Sequence, residues 1–491
     1  MSISDEKQGF AALARFGFGA RGDGDLASAR LDPRGFLRAE LDQPGAALLA
    51  GPGLPSGDAS LQTLFTEEDA RKAERDRLAQ DIATQSKTAQ QTTQPAMQAQ
   101  SIMESAMQAS AQPAKPPPRP PSPDQLFFRA DAHARFTHAY MARAGMVERL
   151  VAFWSNHFAI SVAKGGPTRA AAGPFEREAI RPYVLGKFGD MLLAVESHPA
   201  MLFYLDNQQS FGPDSPAGQK QKRGRNENLG REILELHTLG VNGGYSQSDV
   251  IALSNMLTGW RFAGREGKFG TPGSFIFQAN VHEPGAQNLL GADFTGGGED
   301  QARAALLSLA ARPETARHVA LKLAKHFIDD TPPQALVDRL AHTFFKTGGD
   351  LHAVSLALID SPEAFTAPPT KMRNPWEFCV ASTRLLDRAP DDVGPVLSSL
   401  SMLGQPLWQP PGPNGFSDDS AAWASPEGMK IRMDLASQWT NRLKDPPDPR
   451  ELLEMAFGAG ASEETRKAVA RAETKAQGLA LLLMAPEAQR R

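Results

Sequence analysis

From residue 126 onward the chain is patterned for helix almost without interruption, and this restricts its folds more than any bulk figure. Phe127 to Leu150 contains no proline, and Val147-Glu148-Arg149-Leu150-Val151-Ala152-Phe153-Trp154 carries the pattern into Ser155-Asn156-His157-Phe158. Further helices are predicted over 176–195, 227–239, 247–259, 302–311, 314–328, 333–346, 350–359 and 374–387. Helix stops such as Gly240 and Gly348-Gly349, and starts such as Ser246 and Asp350, separate them. Strand signals are few. The best is Gly273-Ser274-Phe275-Ile276-Phe277, inside a Gly-rich excursion over 261–299, where a small hairpin is expected. The expected fold is therefore all-α: a large multi-helix globular domain with one irregular, Gly-rich hairpin excursion.

Three regions follow from composition. Residues 1–65 form an N-terminal helical part packed on the main body, with the apolar segment Phe10-Ala11-Ala12-Leu13-Ala14-Arg15-Phe16 running into a Gly-rich turn. Residues 66–125 read as a flexible Gln/Ala/Pro-rich insertion, disordered in its second half. Its first half, Glu67 to Ile82, is charged and Ala-rich and can form an exposed helix; the second ends in Pro116-Pro117-Pro118-Arg119-Pro120-Pro121, which enforces extended structure. Residues 126–491 form the main helical domain. At 491 residues the chain can bury an ample core without a covalent staple.

The same figures exclude several function classes. With 52 Lys+Arg against 56 Asp+Glu the net charge is −4, which offers no basic footprint for nucleic acid. One cysteine, Cys379, excludes an internal disulfide framework and a cysteine-rich metal site. No apolar run approaches the roughly 18 residues that a membrane span needs. The start, Met1-Ser2-Ile3-Ser4-Asp5-Glu6-Lys7, lacks the basic and apolar pattern of a signal peptide, so the default compartment is the cytoplasm.

The most informative segment is Asn226-Glu227-Asn228-Leu229-Gly230-Arg231-Glu232-Ile233-Leu234-Glu235-Leu236-His237-Thr238-Leu239-Gly240. As an α-helix it gathers Asn228, Arg231, Glu232 and Glu235 at i, i+3, i+4 and i+7 on one face, with Leu229, Ile233 and Leu236 on a core face. Two carboxylates beside an arginine can divide acid and base roles, hold a metal or clamp a substrate. The alternative is a solvated face with an internal Arg–Glu pair. His237 falls off the stripe. Gly240 is expected to cap the helix in a left-handed conformation, and Ser246 with Asp249 resembles a capping box.

Other candidates are His157 and Asn156, between Trp154 and Phe158 at the end of an apolar helix, and His282 in the Gly-rich excursion. Each histidine can serve as acid, base or ligand, or be a satisfied core group. A mononuclear metal site over His157, Glu232, Glu235 and His282 is conceivable, yet no ligand-spacing motif supports it and no metal is expected. Lys322, Lys325 and His326 read as the polar side of an amphipathic helix. Trp408 and Trp423 can stack on sugar faces or seal the core, and Cys379 has the apolar context of an inert thiol.

Together these residues carry a resemblance. The strings Trp154-Ser155-Asn156-His157-Phe158, Met201-Leu202-Phe203-Tyr204-Leu205-Asp206-Asn207, Asn226 through Gly240 and Leu257-Thr258-Gly259-Trp260 resemble the bacterial family called domain of unknown function 1800. Phe16-Gly17-Phe18-Gly19, His282 and Leu403-Gly404-Gln405-Pro406-Leu407 fit the same order, and the likeness spans about residues 8 to 440. The resemblance implies no established activity and leaves the cofactor unknown. It implies a companion: similar proteins are often encoded beside members of an uncharacterised family, number 1501, with a sulfatase-like fold and twin-arginine export signals. Periplasmic placement by co-export is thus the alternative to the cytoplasm. Two functions are expected from the sequence. One is a hydrolase of carbohydrate or another polar polymer, with Glu232, Glu235, His157 and Arg231 catalytic and Asn228, Asn156, Trp260 and His282 binding substrate. The other is a non-catalytic helical partner or chaperone of the sulfatase-like protein.

Overall fold

A computed structural model describes residues 3–22, 24–91 and 120–491. Helix dominates them, as expected, and strand is confined to two short hairpins. The Gln/Pro-rich insertion expected to be disordered falls largely on residues 92–119, outside the described residues. Its charged first half belongs to a helix, Gly57–Gln91, which begins before residue 66. Leu61, Leu64 and Phe65 on that helix are buried, and from Glu74 to Thr84 every side chain is exposed.

Four of the eight helices expected after Leu150 lie within one or two residues of their bounds: Pro313–Phe327, Gln334–Lys346, Leu351–Asp360 and Pro375–Leu385. The run from Phe127 into His157 is broken, however, into Pro123–Met141 and Met146–His157. Gly145 takes φ +86° at the break, and the Glu40 carboxylate accepts N–H groups of Ala144, Gly145 and Val147, capping the second helix. The helix expected over 176–195 is likewise divided. A π-helical turn, Glu176–Ile180, and a 3-10 turn, Arg181–Tyr183, precede Phe188–Ser197, because Pro182 lacks the N–H that would continue the ladder.

The excursion contains the expected hairpin, with Trp260–Phe262 paired antiparallel to Phe275–Phe277 in the register Trp260↔Phe277. A second hairpin, Gln287–Leu289 with Ala292–Phe294, was not legible in the sequence, since strands of three residues are too short to show a period. Side chains from Leu13 and Phe16 to Leu435 share one hydrophobic core, and the helices from Pro449 to Gln489 enclose a second, smaller one.

Arg15 joins the N-terminal helices to the body. It donates to the carbonyls of Ala364 (2.7 Å) and Ala367 (2.6 Å), the last turn of a short helix. Arg149, Arg181, Arg373, Arg384 and Arg432 are also fully buried, each tied to carboxylates or backbone carbonyls.

Candidate functional site

The segment singled out above is an α-helix only from Asn228 to Glu232; from Ile233 to Thr238 it is π-helical. Bonds from i to i+5 turn each residue through a smaller angle than an α-helix does, so the α-helical wheel fails beyond Ile233. Leu234 and His237 are fully buried, whereas Leu236, assigned to the core face, is half-buried. Gly240 ends the segment at φ +84°, and Ser246 and Asp249 form the expected capping box.

Arg231, Glu232 and Glu235 still lie close enough to act on one another's charge. Asn228 is exposed. Arg231 turns back to Glu227 (3.1 Å) and Gln247 (3.1 Å), and Glu235 accepts from the Tyr245 hydroxyl at 3.4 Å. Burial raises the Glu232 carboxyl above its ordinary pKa, His237 opposes this, and Glu235 reinforces it. Trp260 is fully buried under Arg303. His282 packs edge-on to Phe277, with Nδ1 2.7 Å from the Thr258 carbonyl.

His157 occupies a different setting. It lies on the wall of a cleft of about 300 Å³ between Met146–His157, Pro313–Phe327 and the loop 403–419. None of Glu232, Glu235, Trp260 and His282 lines this cleft. The π-helical segment meets His157 through the His237 carbonyl, 3.1 Å from His157 Nε2, and through the His237 ring, whose centroid lies 6.2 Å from that of His157. A carbonyl only accepts, so Nε2 carries the hydrogen and Nδ1 is a lone pair. That lone pair accepts from Lys322 Nζ at 2.9 Å.

Lys322 is the middle of three residues, His318, Lys322 and His326, spaced by four along Pro313–Phe327 and so on one face. His318 Nε2 donates to the Leu236 carbonyl at 3.1 Å. His326 Nδ1 donates to Asp418 (3.0 Å), and its Nε2 accepts from Arg149 (3.3 Å). Beneath them, Glu377 accepts from Arg149 (3.1 Å) and Arg491 (2.8 Å), while Arg491 also donates to the His326 carbonyl.

These placements set the proton affinities. Burial brings the Lys322 ammonium down to about 8, with Asp418 acting in the opposite sense. His157 is held well below an ordinary imidazole by burial and by the Lys322 charge. His318 falls to about 4 for the same two reasons. Burial works against the Asp418 charge, yet His326, Lys371 and Arg491 hold it ionised far below the usual carboxylate range. Glu377 likewise stays ionised, at about 2, because Arg491 and Arg149 outweigh its burial. No carboxylate lies within salt-bridge distance of Lys322 among the described residues.

Asn156 also lines the cleft, but its amide is occupied: it donates to the Phe416 carbonyl (2.9 Å) and accepts the Phe416 N–H (2.8 Å), clasping the loop in place. Gly415 next to it allows this approach, since a Cβ there would stand 2.5 Å from the Asn156 carbonyl. Trp376 and Trp408 wall the cleft but are more than nine-tenths buried, and Arg135 covers the Trp376 ring at 4.1 Å, so neither offers a free stacking face. Cys379 is buried and its thiol is pushed up to about 12, as an inert thiol should be. Among the described residues no group of three or more His, Cys, Asp or Glu is arranged to hold a metal ion.

Sequence reasoning named His157, and it named Lys322 and His326 only as the polar side of an amphipathic helix. The missed signal was the four-residue spacing of His318, Lys322 and His326 along that helix. Asp418, Arg149 and Arg491 had none, as they meet only in the folded chain. No curated protein and no solved structure matches the chain. One family model does, over residues 11–490, and it carries the segments that build the cleft: the chain belongs to the family described as Protein of unknown function (DUF1800).

Proposed function

We propose that the protein is an acid/base enzyme, a hydrolase of a polar substrate, whose proton transfers centre on Lys322 and His157 in the cleft. The single observation behind this reading is the 2.9 Å contact between Lys322 Nζ and His157 Nδ1 on the wall of that cleft. Such a lysine has a conjugate base within reach at neutral pH, because burial destabilises its ammonium form. His157, locked as a neutral acceptor by the His237 carbonyl, holds the amine in one direction. The free amine can then take a proton from water as that water attacks the substrate, and return it to the leaving group. Asp418, permanently ionised, supplies the negative charge that stabilises the ammonium formed in between.

This reading keeps the hydrolase class expected from sequence and moves its seat from Glu232 and Glu235 to Lys322. It is tested with a panel of chromogenic esters, glycosides and phosphate esters. Lys322→Met should lower turnover by about 10²-fold or more while circular dichroism remains native, the scale of a lost general base. Wild-type turnover in Lys322→Met, with large losses in Glu232→Gln and Glu235→Gln, would return the chemistry to the acidic stripe.

A further inference from the structure

The acid/base reading leaves the chemical class of the substrate open, and the geometry at Lys322 narrows it. Its amine is directed at one end and free at the other. His157 Nδ1 can only accept, so one Lys322 N–H is committed to it at 2.9 Å. On the cleft side, Asp418, Lys325 and His326 are already engaged. Asp418 is taken by His326, and Lys325 pairs with Asp419 at 2.6 Å. In the neutral amine one N–H is held by His157, and the second N–H and the nitrogen lone pair are left for the cleft that Lys322 lines. That is the arrangement of an activated nucleophile: an amine desolvated in a partly apolar wall, with a fixed orienting partner.

We propose that Lys322 captures aldehyde- or ketone-bearing ligands as an imine in this cleft. The proposal rests on the cleft assigned above and gives Lys322 a nucleophilic role besides proton transfer. In the reaction the Nζ lone pair forms a bond to the carbonyl carbon, and the carbonyl π electrons move onto oxygen. One amine hydrogen passes to that oxygen, giving a carbinolamine. The second amine hydrogen leaves with the hydroxyl as water, the C–O bond breaks, and a C=N bond closes. No oxidant, reductant or further reactant is needed, and water reverses every step. Once protonated, the imine withdraws electrons from the adjoining carbon and weakens its C–H or C–C bond.

Several charged or titratable groups surround the amine. His157 faces it from Met146–His157, His318, Lys325 and His326 share its own helix, and Asp418 faces it from the loop. With Lys322 near 8 against roughly 10.4 for an ordinary lysine, its free-amine fraction at pH 7.5 exceeds that of a surface lysine about two hundredfold.

The test is reductive trapping on the full chain. The protein is incubated with glyoxylate, and separately with glycolaldehyde, in the presence of cyanoborohydride, which reduces an imine to a stable secondary amine, and the adducts are mapped by peptide mass spectrometry. The expected result is a dominant adduct at Lys322 at pH 7.5, with a labelling rate that rises through a midpoint near 8. The map itself compares Lys322 with exposed lysines such as Lys220 and Lys467 in the same folded molecule. Adducts spread evenly over those lysines, or a midpoint at Lys322 near that of an ordinary lysine, would overturn the proposal. The two readings fail separately. Loss of turnover in Lys322→Met without a trapped adduct removes the nucleophile and keeps the proton-transfer role. A Lys322 adduct in a protein that turns over none of the chromogenic panel removes the hydrolase and keeps the carbonyl site.

Discussion

At the scale of single residues, the floor of the cleft is a set of buried charges that tolerate burial only because each is answered. Glu377 illustrates the point, lying between Arg149 and Arg491 with almost no exposure. Glu377→Gln would leave two buried guanidinium groups short of a counter-charge, at a cost of about 3–5 kcal/mol. Urea denaturation at pH 7 measures it, and a loss under 1 kcal/mol would show that the arginines re-pair. The folded Glu377 pKa, near 2, lies below the unfolded value of roughly 4.3, so its contribution is complete above about 4.3 and disappears as pH falls through 2. His318 acts higher on the scale. Its folded value of about 4 lies below the ordinary 6.5 or so, and its stabilising share is present above that and is lost as pH drops towards 4. His318→Gln should therefore flatten the fall in stability between pH 6.5 and 4. An unchanged slope would assign that fall to other groups.

Secondary-structure elements bring these residues into register, and the deviations from ideal helix matter most. Three π-helical stretches, Ala12–Phe16, Glu176–Ile180 and Ile233–Thr238, each bear a buried polar side chain: Arg15, Glu176 and His237. The extra residue in each turn rotates a side chain that an α-helix would leave outside. His237 reaches Glu196 at 2.7 Å in this way, with neither group exposed. The helix after Ile233 also ends where it must for His157 and His318 to find the carbonyls of His237 and Leu236. Gly240 closes that end at φ +84°, and a Cβ there would lie 2.8 Å from His318 Nδ1. Gly240→Ala should cost about 1–2 kcal/mol from the left-handed backbone alone, with more where His318 must move. Denaturant midpoints measure this, and a neutral effect would mean that the turn relaxes. The caps at Gly240 and Ser246 were legible because they depend on neighbouring residues alone. The π register was not, because intrinsic preference favours the α-helix and the His237–Glu196 contact that accompanies the π turn joins residues 41 positions apart.

For the whole molecule the question is whether the N-terminal helices and the body unfold together. Buried side chains run without a gap from Leu13 and Phe16 into the main core, with Phe16 stacked on Phe327 at 5.7 Å, one residue from His326. Arg15 spans some 350 positions of sequence to reach Ala364 and Ala367. Arg15→Met should weaken the fold by about 1.5–3 kcal/mol, the worth of hydrogen bonds from a charged group, while unfolding stays a single transition by both circular dichroism and tryptophan fluorescence. All six tryptophans lie beyond residue 150, so fluorescence reports the body alone. Separation of the two signals would show that the N-terminal helices come away first.

Local patterning by itself determined that this chain is helical, where several of its helices begin and end, and that Phe275–Phe277 is a strand. Those properties depend on residues a few positions apart: apolar period, caps, proline and glycine. Which polar groups meet was decided only in three dimensions. His157 and Lys322 are 165 positions apart, and Arg149 and Arg491 still further, so their meeting reflects how helices pack rather than any spacing along the chain. The acidic stripe of Asn228 to Glu235 was a local pattern too, drawn for an α-helix. In the folded chain its second half is π-helical, and His237 is buried 2.7 Å from Glu196, a partner 41 positions away that no local pattern names.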